Sequence, residues 1–277
     1  MTEKATEKGP QLLQQPGPRP PIRRLNPTQE AQTMVAKTKS NVNPVYTDST
    51  GRAWPMLKSK FAANLSPIHV SDYMSGKMSG IPSISTSCLV NPICIKRMQD
   101  GESVCCHCFA AATMQRYSSA GQHAKNNFHL LNAEVLPLEM LPRFRNVAIV
   151  RIESFGDVAS VTQAINYLNI AKVNPFITFA AWTKNAAIWN KAIAQAGKPK
   201  NLSLVYSSFK LNEQAAAAEY FTADGVNHFD HVFTVYDKAT CEFYGDHFVN
   251  CGARDCATCR RCYRKDPAEF TVREQLK

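Results

Sequence analysis

The chain lacks the long apolar runs and the processing signals that mark membrane and secreted proteins. Its 277 residues contain no run of about 18 apolar residues, so we expect no contact with a membrane. Residues 1–4 are polar, unlike the start of a secretory signal peptide. We therefore expect a cytoplasmic protein, and in that reducing compartment a disulfide framework is the weaker interpretation of its cysteines.

The usual signatures of nucleotide-binding and hydrolytic enzymes are also missing. The sequence has no P-loop, no G-x-G-x-x-G and no G-x-S-x-G segment. Its histidines lack the H-E-x-x-H spacing of a helical metal site, so we assign them no catalytic role. Nucleotide hydrolysis and serine-type acyl transfer therefore have no support in this sequence.

Cysteine, by contrast, is plentiful and clustered. Nine of the ten cysteines fall into two groups. The first group consists of Cys88, Cys94, Cys105, Cys106 and Cys108, and the second of Cys251, Cys256, Cys259 and Cys262. Thiolates are soft, anionic ligands, and four that converge suit zinc or an iron–sulfur cluster. The remaining cysteine, Cys241, is predicted to be a small buried hydrophobic residue.

The second group has the spacing C-x4-C-x2-C-x2-C. Structural zinc sites typically use two separate C-x2-C segments. The overlapping C-x2-C-x2-C run instead resembles the one that bacterial ferredoxins use to bind a [4Fe–4S] cluster. Cys251 would then supply the fourth ligand. The spacing favours an iron–sulfur cluster, with zinc as the alternative.

In the first group, the predicted metal ligands are Cys88, Cys94, Cys105 and Cys108. Cys105 and Cys108 form a C-x2-C segment, and for that reason we prefer Cys105 to its neighbour Cys106. Two alternatives stay open at this point. The first is the number of metal centres, one or two. The second is the metal, iron or zinc.

Composition divides the chain into three parts. Residues 1–45 are rich in Pro, Gln and Arg, and we expect a flexible, disordered arm. Residues 46–245 contain the first cysteine group and most apolar segments, and we expect one α/β domain. Residues 246–277 are predicted to be a cysteine-rich, metal-binding tail packed on that domain.

A strand–helix rhythm carries the fold prediction. Strands are predicted at 84–86, 147–152, 176–181, 202–206 and 231–236. Helices are predicted at 110–134 (one helix, or two helices broken near Gly121), 159–172, 185–196 and 212–220. Apolar strands that alternate with helices indicate an α/β fold with a mostly parallel sheet, either a partial or full βα barrel or an open sheet.

Polar residues end each predicted strand. In parallel α/β folds, sites are built at the carboxyl ends of the strands. We therefore predict that four of these residues meet beside Cys105 and Cys108 and contact substrate or cofactor: Arg151, Glu153, Asp157 and Lys184. Arg151 and Glu153 are two positions apart, so we expect both on one face of the strand. A buried Arg–Glu pair with only a structural role is the alternative.

The formal net charge of +10 predicts a basic surface that attracts the phosphates of nucleic acid. Five basic residues alternate with the last cysteines or follow them: Arg254, Arg260, Arg261, Arg264 and Lys265. The competing hypothesis is therefore a nucleic-acid-binding protein whose cysteines hold structural zinc.

Three segments together resemble a phage-protein family catalogued as gene product 88-like. They are residues 87–110, which end the first cysteine group in Cys-Phe-Ala, residues 150–157 with 175–184, and the closing Cys-Arg-Arg-Cys-Tyr of residues 259–263. The resemblance covers roughly residues 80–265 and leaves the arm outside. It implies a phage-encoded protein of the host cytoplasm but no activity. A structural role in a virion or a host-takeover complex is a third hypothesis.

A more distant resemblance is to radical S-adenosylmethionine (SAM) proteins. It rests on Cys105-x2-Cys108-Phe109 after a predicted strand. Those proteins are partial βα barrels in which a cysteine motif follows the first strand. The resemblance implies an enzyme with a [4Fe–4S] cluster, three thiolate ligands and one iron open to SAM. The interval from Cys94 to Cys105 is longer than in that motif, and no glycine-rich SAM segment is visible.

Overall fold

The computed structural model describes residues 44–72 and 74–276. These residues belong to one compact unit. All but the last two residues of the predicted arm at 1–45 lie outside the described residues. None of the helices in this part of the chain has the length and apolarity that a bilayer crossing requires.

A six-stranded parallel sheet forms the centre of the fold. A short antiparallel hairpin, β1 (Val45–Thr47) and β2 (Ala53–Pro55), precedes it. The strands of the sheet are β3 (Ser83–Ile84), β4 (Ile149–Ile152), β5 (Thr178–Thr183), β6 (Leu202–Ser207), β7 (His231–Tyr236) and β8 (Thr271–Gln275). Each strand pairs in parallel with the one before it in the chain. The prediction of an α/β fold with a mostly parallel sheet is therefore confirmed.

Seven α-helices accompany the sheet in the described residues. They are α1 (Pro92–Met98), α2 (Phe109–Arg116), α3 (Ser118–Ala133), α4 (Val161–Lys172), α5 (Ala186–Ala196), α6 (Lys238–Tyr244) and α7 (Cys256–Cys259). Single 3-10 turns form at Gly76–Met78, Val104–His107, Leu138–Met140, Ala217–Glu219, Arg261–Tyr263 and Pro267–Glu269. The helices predicted at 159–172 and 185–196 correspond to α4 and α5.

The predicted helix at 110–134 is two helices, and the break lies at Tyr117 rather than at Gly121. Tyr117 has a non-helical backbone, with φ −115° and ψ 87°, between α2 and α3. Gly121 lies inside α3, where an added Cβ would stand 2.8 Å from the backbone oxygen of Met114. The glycine therefore allows α3 to approach α2 closely.

The predicted helix at 212–220 is wrong. Only the 3-10 turn Ala217–Glu219 forms there. Asn212, at the start of the segment, has φ +62°, which lies outside the right-handed helical region. The helix propensity of alanine is a weak preference, and the first turn of so short a helix fixes several residues for one hydrogen bond.

The two faces of the sheet are covered differently. On one face, α4 and α5 pack through Tyr167 and Trp189, which belong to a large apolar core. On the other face, Ile149 and Ala180 pack against Tyr263 of the tail. Burying a large apolar side chain contributes about 1.5–3 kcal/mol, so both covers stabilise the sheet.

The tail also supplies β8, the sixth strand, whose register with β7 runs from Val232↔Thr271 to Tyr236↔Gln275. The division of the sequence into a domain at 46–245 and a tail packed on it does not predict this strand. The strand reads Thr-Val-Arg-Glu-Gln, and only Val272 in it is buried. It therefore carries no continuous apolar run that would mark it.

Candidate metal centres

Four cysteines of the first group lie on short elements that follow β3. Cys88 lies in the loop after the strand, Cys94 on α1, Cys105 on the turn Val104–His107, and Cys108 at the N-cap of α2. Polar caps hold two of these elements in place. The side chain of Asn91 accepts a hydrogen bond from the backbone N–H of Ile93 at the start of α1 (3.0 Å), and Ser103 Oγ accepts one from Cys105 N (3.2 Å).

Cys88 and Cys108 are neighbours at the N-terminus of α2. Cys88, as a hydrogen-bond donor, lowers the pKa of Cys108 most, and the backbone N–H groups of Ala111 and Ala110 lower it further. The same interaction, together with burial, raises the pKa of Cys88. The sulfur of Cys88 also lies 4.0 Å from Met114 Sδ. The arrangement favours a thiolate at Cys108, where the helix end stabilises negative charge.

Cys94 and Cys105 lie near a half-buried cation, Lys184. Burial raises the pKa of Cys94, and the Asp157 carboxylate adds to this effect. Burial lowers the pKa of Lys184, while the nearby Cys105 thiol and Asp157 act in the opposite direction. Lys184 Nζ donates a hydrogen bond to Ser207 Oγ at 2.5 Å. A positive charge therefore lies beside two thiols of the first group.

Cys106 points away from this cluster. Its side chain is exposed, and its sulfur lies 3.9 Å from the backbone oxygen of Gly101. This placement supports Cys105 over Cys106 as a ligand, a choice that stays a prediction.

Glu153 is surrounded by hydrogen-bond donors. Its Oε1 accepts from Thr86 Oγ1 (2.8 Å), Gln163 Nε2 (2.7 Å) and Tyr167 Oη (2.6 Å), and its Oε2 accepts from Thr86 N (3.0 Å). Burial raises the pKa of Glu153 to about 7, and these hydrogen bonds oppose that shift. Glu153 therefore ties the loop that leads from β3 to Cys88 onto α4.

Asp157 holds the end of β5 in a similar way. It accepts hydrogen bonds from Thr183 Oγ1 (2.6 Å), Lys184 N (2.8 Å) and Val158 N (2.8 Å). Burial raises the pKa of Asp157, and the hydrogen bond from Thr183 and the charge of Arg97 oppose that shift. Arg97 forms an ion pair with Asp157 at 3.5 Å and donates to the backbone oxygen of Lys184 at 2.9 Å. The loop after β4, the end of β5 and α1 are thus joined around one carboxylate.

Arg151 does not join Glu153, Asp157 and Lys184. Its guanidinium carbon lies 3.0 Å from the ring centroid of Trp182, on the face of the sheet that packs against Tyr263. Glu153 contacts α4 on the opposite face, so the expectation that the two share a face is wrong. The physical reason is the left-handed backbone of Glu153 (φ +55°), which ends the strand alternation after Ile152.

The second cysteine group is built on two consecutive turns of the tail. Cys256 and Cys259 lie on α7, whose N-cap Asp255 accepts a hydrogen bond from Thr258 N at 2.7 Å. Arg260 has φ +53°, a left-handed conformation that separates α7 from the 3-10 turn carrying Cys262. Cys251 precedes both turns.

The thiols of the second group are electrostatic neighbours. The pKa of Cys262 is raised to about 12, chiefly by burial and also by the other three thiols of the group, while the charge of Arg151 opposes this shift. Lys77 Nζ donates to the backbone oxygen of Cys251 at 2.7 Å and lies 3.8 Å from its sulfur. The second group therefore has its own basic neighbour, from the turn that precedes β3.

The donor type in each group is the thiol, which as a thiolate suits zinc or an iron–sulfur cluster. Across residues 44–72 and 74–276, no three His, Cys, Asp or Glu side chains lie close enough together to hold a single metal ion. Each group nevertheless gathers four thiols near one lysine and one arginine. Four thiolates around a [4Fe–4S] cluster or a zinc ion carry net negative charge, which such cations balance.

The family model for Gene product 88 matches residues 54–265. The matched segment includes both cysteine groups and the strands β3 to β7. The chain belongs to the Gene product 88 family. No curated protein and no solved structure matches it, and none of these comparisons links it to radical SAM proteins.

Two basic residues of this Gene product 88 protein were not predicted as part of a site. Lys77 and Arg97 follow no motif and no predicted strand, so the sequence offered no signal for either. Lys77 lies 174 residues from Cys251, and only the folded sheet brings them together. The signal for Lys184 was its position after β5.

Proposed function

We propose that this Gene product 88 protein is an iron–sulfur protein with two four-cysteine centres, one beyond the strand ends and one on the face of the sheet. The observation that carries the proposal is the pairing of each thiol group with buried or half-buried cations. Arg97 and Lys184 accompany the first group, and Lys77 and Arg151 the second. A buried charge is costly without a counter-charge, and the thiolates of a metal centre provide one.

The spacing of the second cysteine group supports iron over zinc. Structural zinc sites typically use two separate C-x2-C segments. Cys256, Cys259 and Cys262 instead form one overlapping C-x2-C-x2-C run, as in ferredoxin-type clusters. A four-iron cluster separates its cysteines, because each of them binds a different iron.

In an enzymatic form of the proposal, only Cys94, Cys105 and Cys108 bind the cluster of the first group, and SAM or a substrate binds at the iron that Cys88 leaves open. The strands follow each other across the sheet in chain order, which suits the wall of a partial βα barrel, and the first group follows β3. We propose that Lys184, beside Cys105, contacts an anionic group of that ligand. Glu153 and Asp157 would position the surrounding loops rather than react. A bound cluster would supply electron transfer or an open coordination position.

The nucleic-acid hypothesis has less support. Arg261 and Arg264 would be needed to contact phosphates, but both lie near Glu269, at 3.4 Å and 3.2 Å. Arg261 also donates to the backbone oxygen of Asn250 at 2.6 Å. These side chains already have acidic or backbone partners, so they are less available to phosphates. Structural zinc with nucleic-acid binding is therefore an alternative outcome of the test.

The test is metal analysis of protein reconstituted without oxygen. Iron, sulfide and zinc are measured per chain, with a visible spectrum, for wild type and for two double variants, Cys94→Ser/Cys105→Ser and Cys256→Ser/Cys262→Ser. Cys106→Ser is the matched control, because that thiol is exposed and points away from both groups. Each double variant should lose about half of the iron and sulfide, and the control should lose none.

The other outcomes decide between the alternatives. Stoichiometric zinc without sulfide would replace the iron–sulfur proposal by the structural-zinc hypothesis. Unchanged metal content in both double variants would overturn metal binding by these groups. For the enzymatic form, the electron-spin spectrum of reduced protein should change when SAM is added, and a spectrum that SAM does not alter would exclude SAM binding at an open iron.

A further inference from the structure

Arg151 is a half-buried cation without a carboxylate partner. Its Nε is enclosed and has no hydrogen-bond partner, and its guanidinium carbon lies 3.0 Å from the centre of the Trp182 ring. Among the described residues, no aspartate or glutamate lies within ion-pair distance of it. A partly buried guanidinium that lacks a counter-charge and has an unpaired, enclosed Nε is unfavourable, so this position favours an anion.

A second unpartnered donor lies beside it. Tyr263 Oη is also buried and reaches no acceptor among the described residues; it faces Arg151, which is itself a donor. The Tyr263 ring packs edge-on against Trp182, with ring centroids 6.2 Å apart. A third lies along the same row of the sheet, since Arg151 pairs with Ala180 and Ala180 with Ser203, whose Oγ also lacks a partner. Buried polar groups in native proteins are rarely left unpaired, so the neighbouring donors Arg151 and Tyr263 indicate a shared acceptor, whereas Ser203 lies two strands away.

The groups that face Arg151 are mainly those of the second cysteine group. Cys262 and Cys256 act on its guanidinium electrostatically, along with Tyr263 and, more weakly, Glu274. Cys256 and Cys262 also pack on the apolar cluster that contains Ala180 and Tyr263. Lys77, the other cation at this group, already contacts Glu274 at 3.0 Å. Arg151 is thus the cation that has no carboxylate of its own.

We propose that Arg151 and Tyr263 form the inner wall of the second centre and donate hydrogen bonds to its sulfur atoms. This inference rests on the proposed function, because it assigns both residues to the environment of that centre. The sequence predicted that Arg151 contacts substrate or SAM. In this inference Arg151 is instead a positioning residue of the second centre. Hydrogen bonds and positive charge at sulfur stabilise the more negative, reduced state of an iron–sulfur cluster. They also strengthen metal retention, as outer partners of metal ligands do.

The experiment compares metal release and reduction potential in four variants of the full chain. Arg151→Met removes the charge, Arg151→Lys keeps it, and Tyr263→Phe removes only the hydroxyl. Arg145→Met is the matched control, because it removes an exposed arginine six positions earlier in the chain. Metal loss to a chelator is followed in two kinetic phases, one for each centre, and the potentials are measured by redox titration.

We expect Arg151→Met to release metal from the second centre about tenfold faster and to lower the potential of that centre alone. Arg151→Lys should recover much of the loss, and Tyr263→Phe should show a smaller change of the same sign. The first centre and the Arg145→Met control should match wild type. If the centre holds zinc, the release rates alone carry the test.

The failures are distinguishable. If wild type loads both centres but Arg151→Met and Tyr263→Phe release metal at the wild-type rate, the inference is overturned and the proposed function stands. If Arg151→Met does not fold, Tyr263→Phe decides, since it keeps the packing of the ring. If wild type holds no metal at the second group, the proposed function itself fails.

Discussion

The two cysteine groups are fixed by different parts of the fold. The first lies on loops and helix ends beyond β3, and two buried carboxylates, Glu153 and Asp157, hold those loops through hydrogen bonds. The second lies on two turns of the tail that pack on an apolar patch of the sheet. The first group therefore depends on a polar network and the second on packing and, under the proposed function, also on its own metal. The predictions below test that difference.

The largest effect is expected from Cys259→Ser. It should remove the metal of the second centre and destabilise the tail by about 4 kcal/mol, because metal binding and local folding are linked. The amides of β8 should exchange faster with solvent, since Asn250 and Cys251 both donate to the backbone oxygen of Arg273. Metal analysis and hydrogen exchange measure this, with Cys106→Ser as control. Full metal content in the variant would refute the assignment.

Gly156→Ala should disturb the first group and spare the second. An added Cβ would stand 2.5 Å from both Thr86 O and Thr86 Oγ1, and 2.8 Å from Glu153 Oε2. Such overpacking costs about 1–3 kcal/mol and would displace the strand end that leads to Cys88. Thermal unfolding and the metal content of each centre measure the result. The control is Gly252→Ala beside the second group, where an added Cβ meets nothing within 4 Å.

The polar network also predicts a pH dependence that packing does not give. The pKa of Glu153 is raised from 4.5 to about 7 by burial, so the folded chain holds the proton more tightly than the unfolded chain. Its contribution is full below about pH 4.5 and is lost as the pH rises to about 7, a fall of about 3 kcal/mol. Glu153→Gln has no proton to lose and should lack this fall.

Denaturant unfolding across that pH range measures the difference between wild type and Glu153→Gln. Glu213→Gln is the control, because Glu213 is an exposed acid paired with Lys210. Stability of the wild type that rises over the same range would mean that the hydrogen bonds from Thr86, Gln163 and Tyr167 outweigh burial.

The smallest effect is expected from Arg264→Ala in the tail. Its ion pair with Glu269 is largely exposed on the arginine side, so its loss should change the free energy of unfolding by less than about 1 kcal/mol. Metal content should not change. The same variant tests the competing hypothesis, since a protein that used Arg264 to bind phosphates would lose affinity for single-stranded DNA and show a shallower salt dependence.

The central part of the sheet could be predicted because buried parallel strands are continuous apolar segments, as β6 and β7 are. The strand β8 could not be predicted, because its sequence has one buried valine followed by arginine, glutamate and glutamine and so lacks a continuous apolar segment. The prediction that Arg151 and Glu153 share a face was wrong because side-chain alternation assumes an extended backbone. Glu153 has φ +55° and is not extended. The two cysteine groups could be predicted from the spacing of the cysteines. The position of Lys77 beside the second group could not, because only tertiary structure brings it there.

The hydrogen bond between Lys77 and Glu274 joins residues 197 positions apart, whereas each strand of the sheet adds to the one made just before it. Contacts of such long range form late, because the chain must first close a large loop. Under the proposed function, the first centre would therefore take up its metal while the sheet is still growing, and the second only near the end of folding. Iron shortage would then leave a half-loaded intermediate with strands β3 to β7 formed and the tail, including β8, open to proteases.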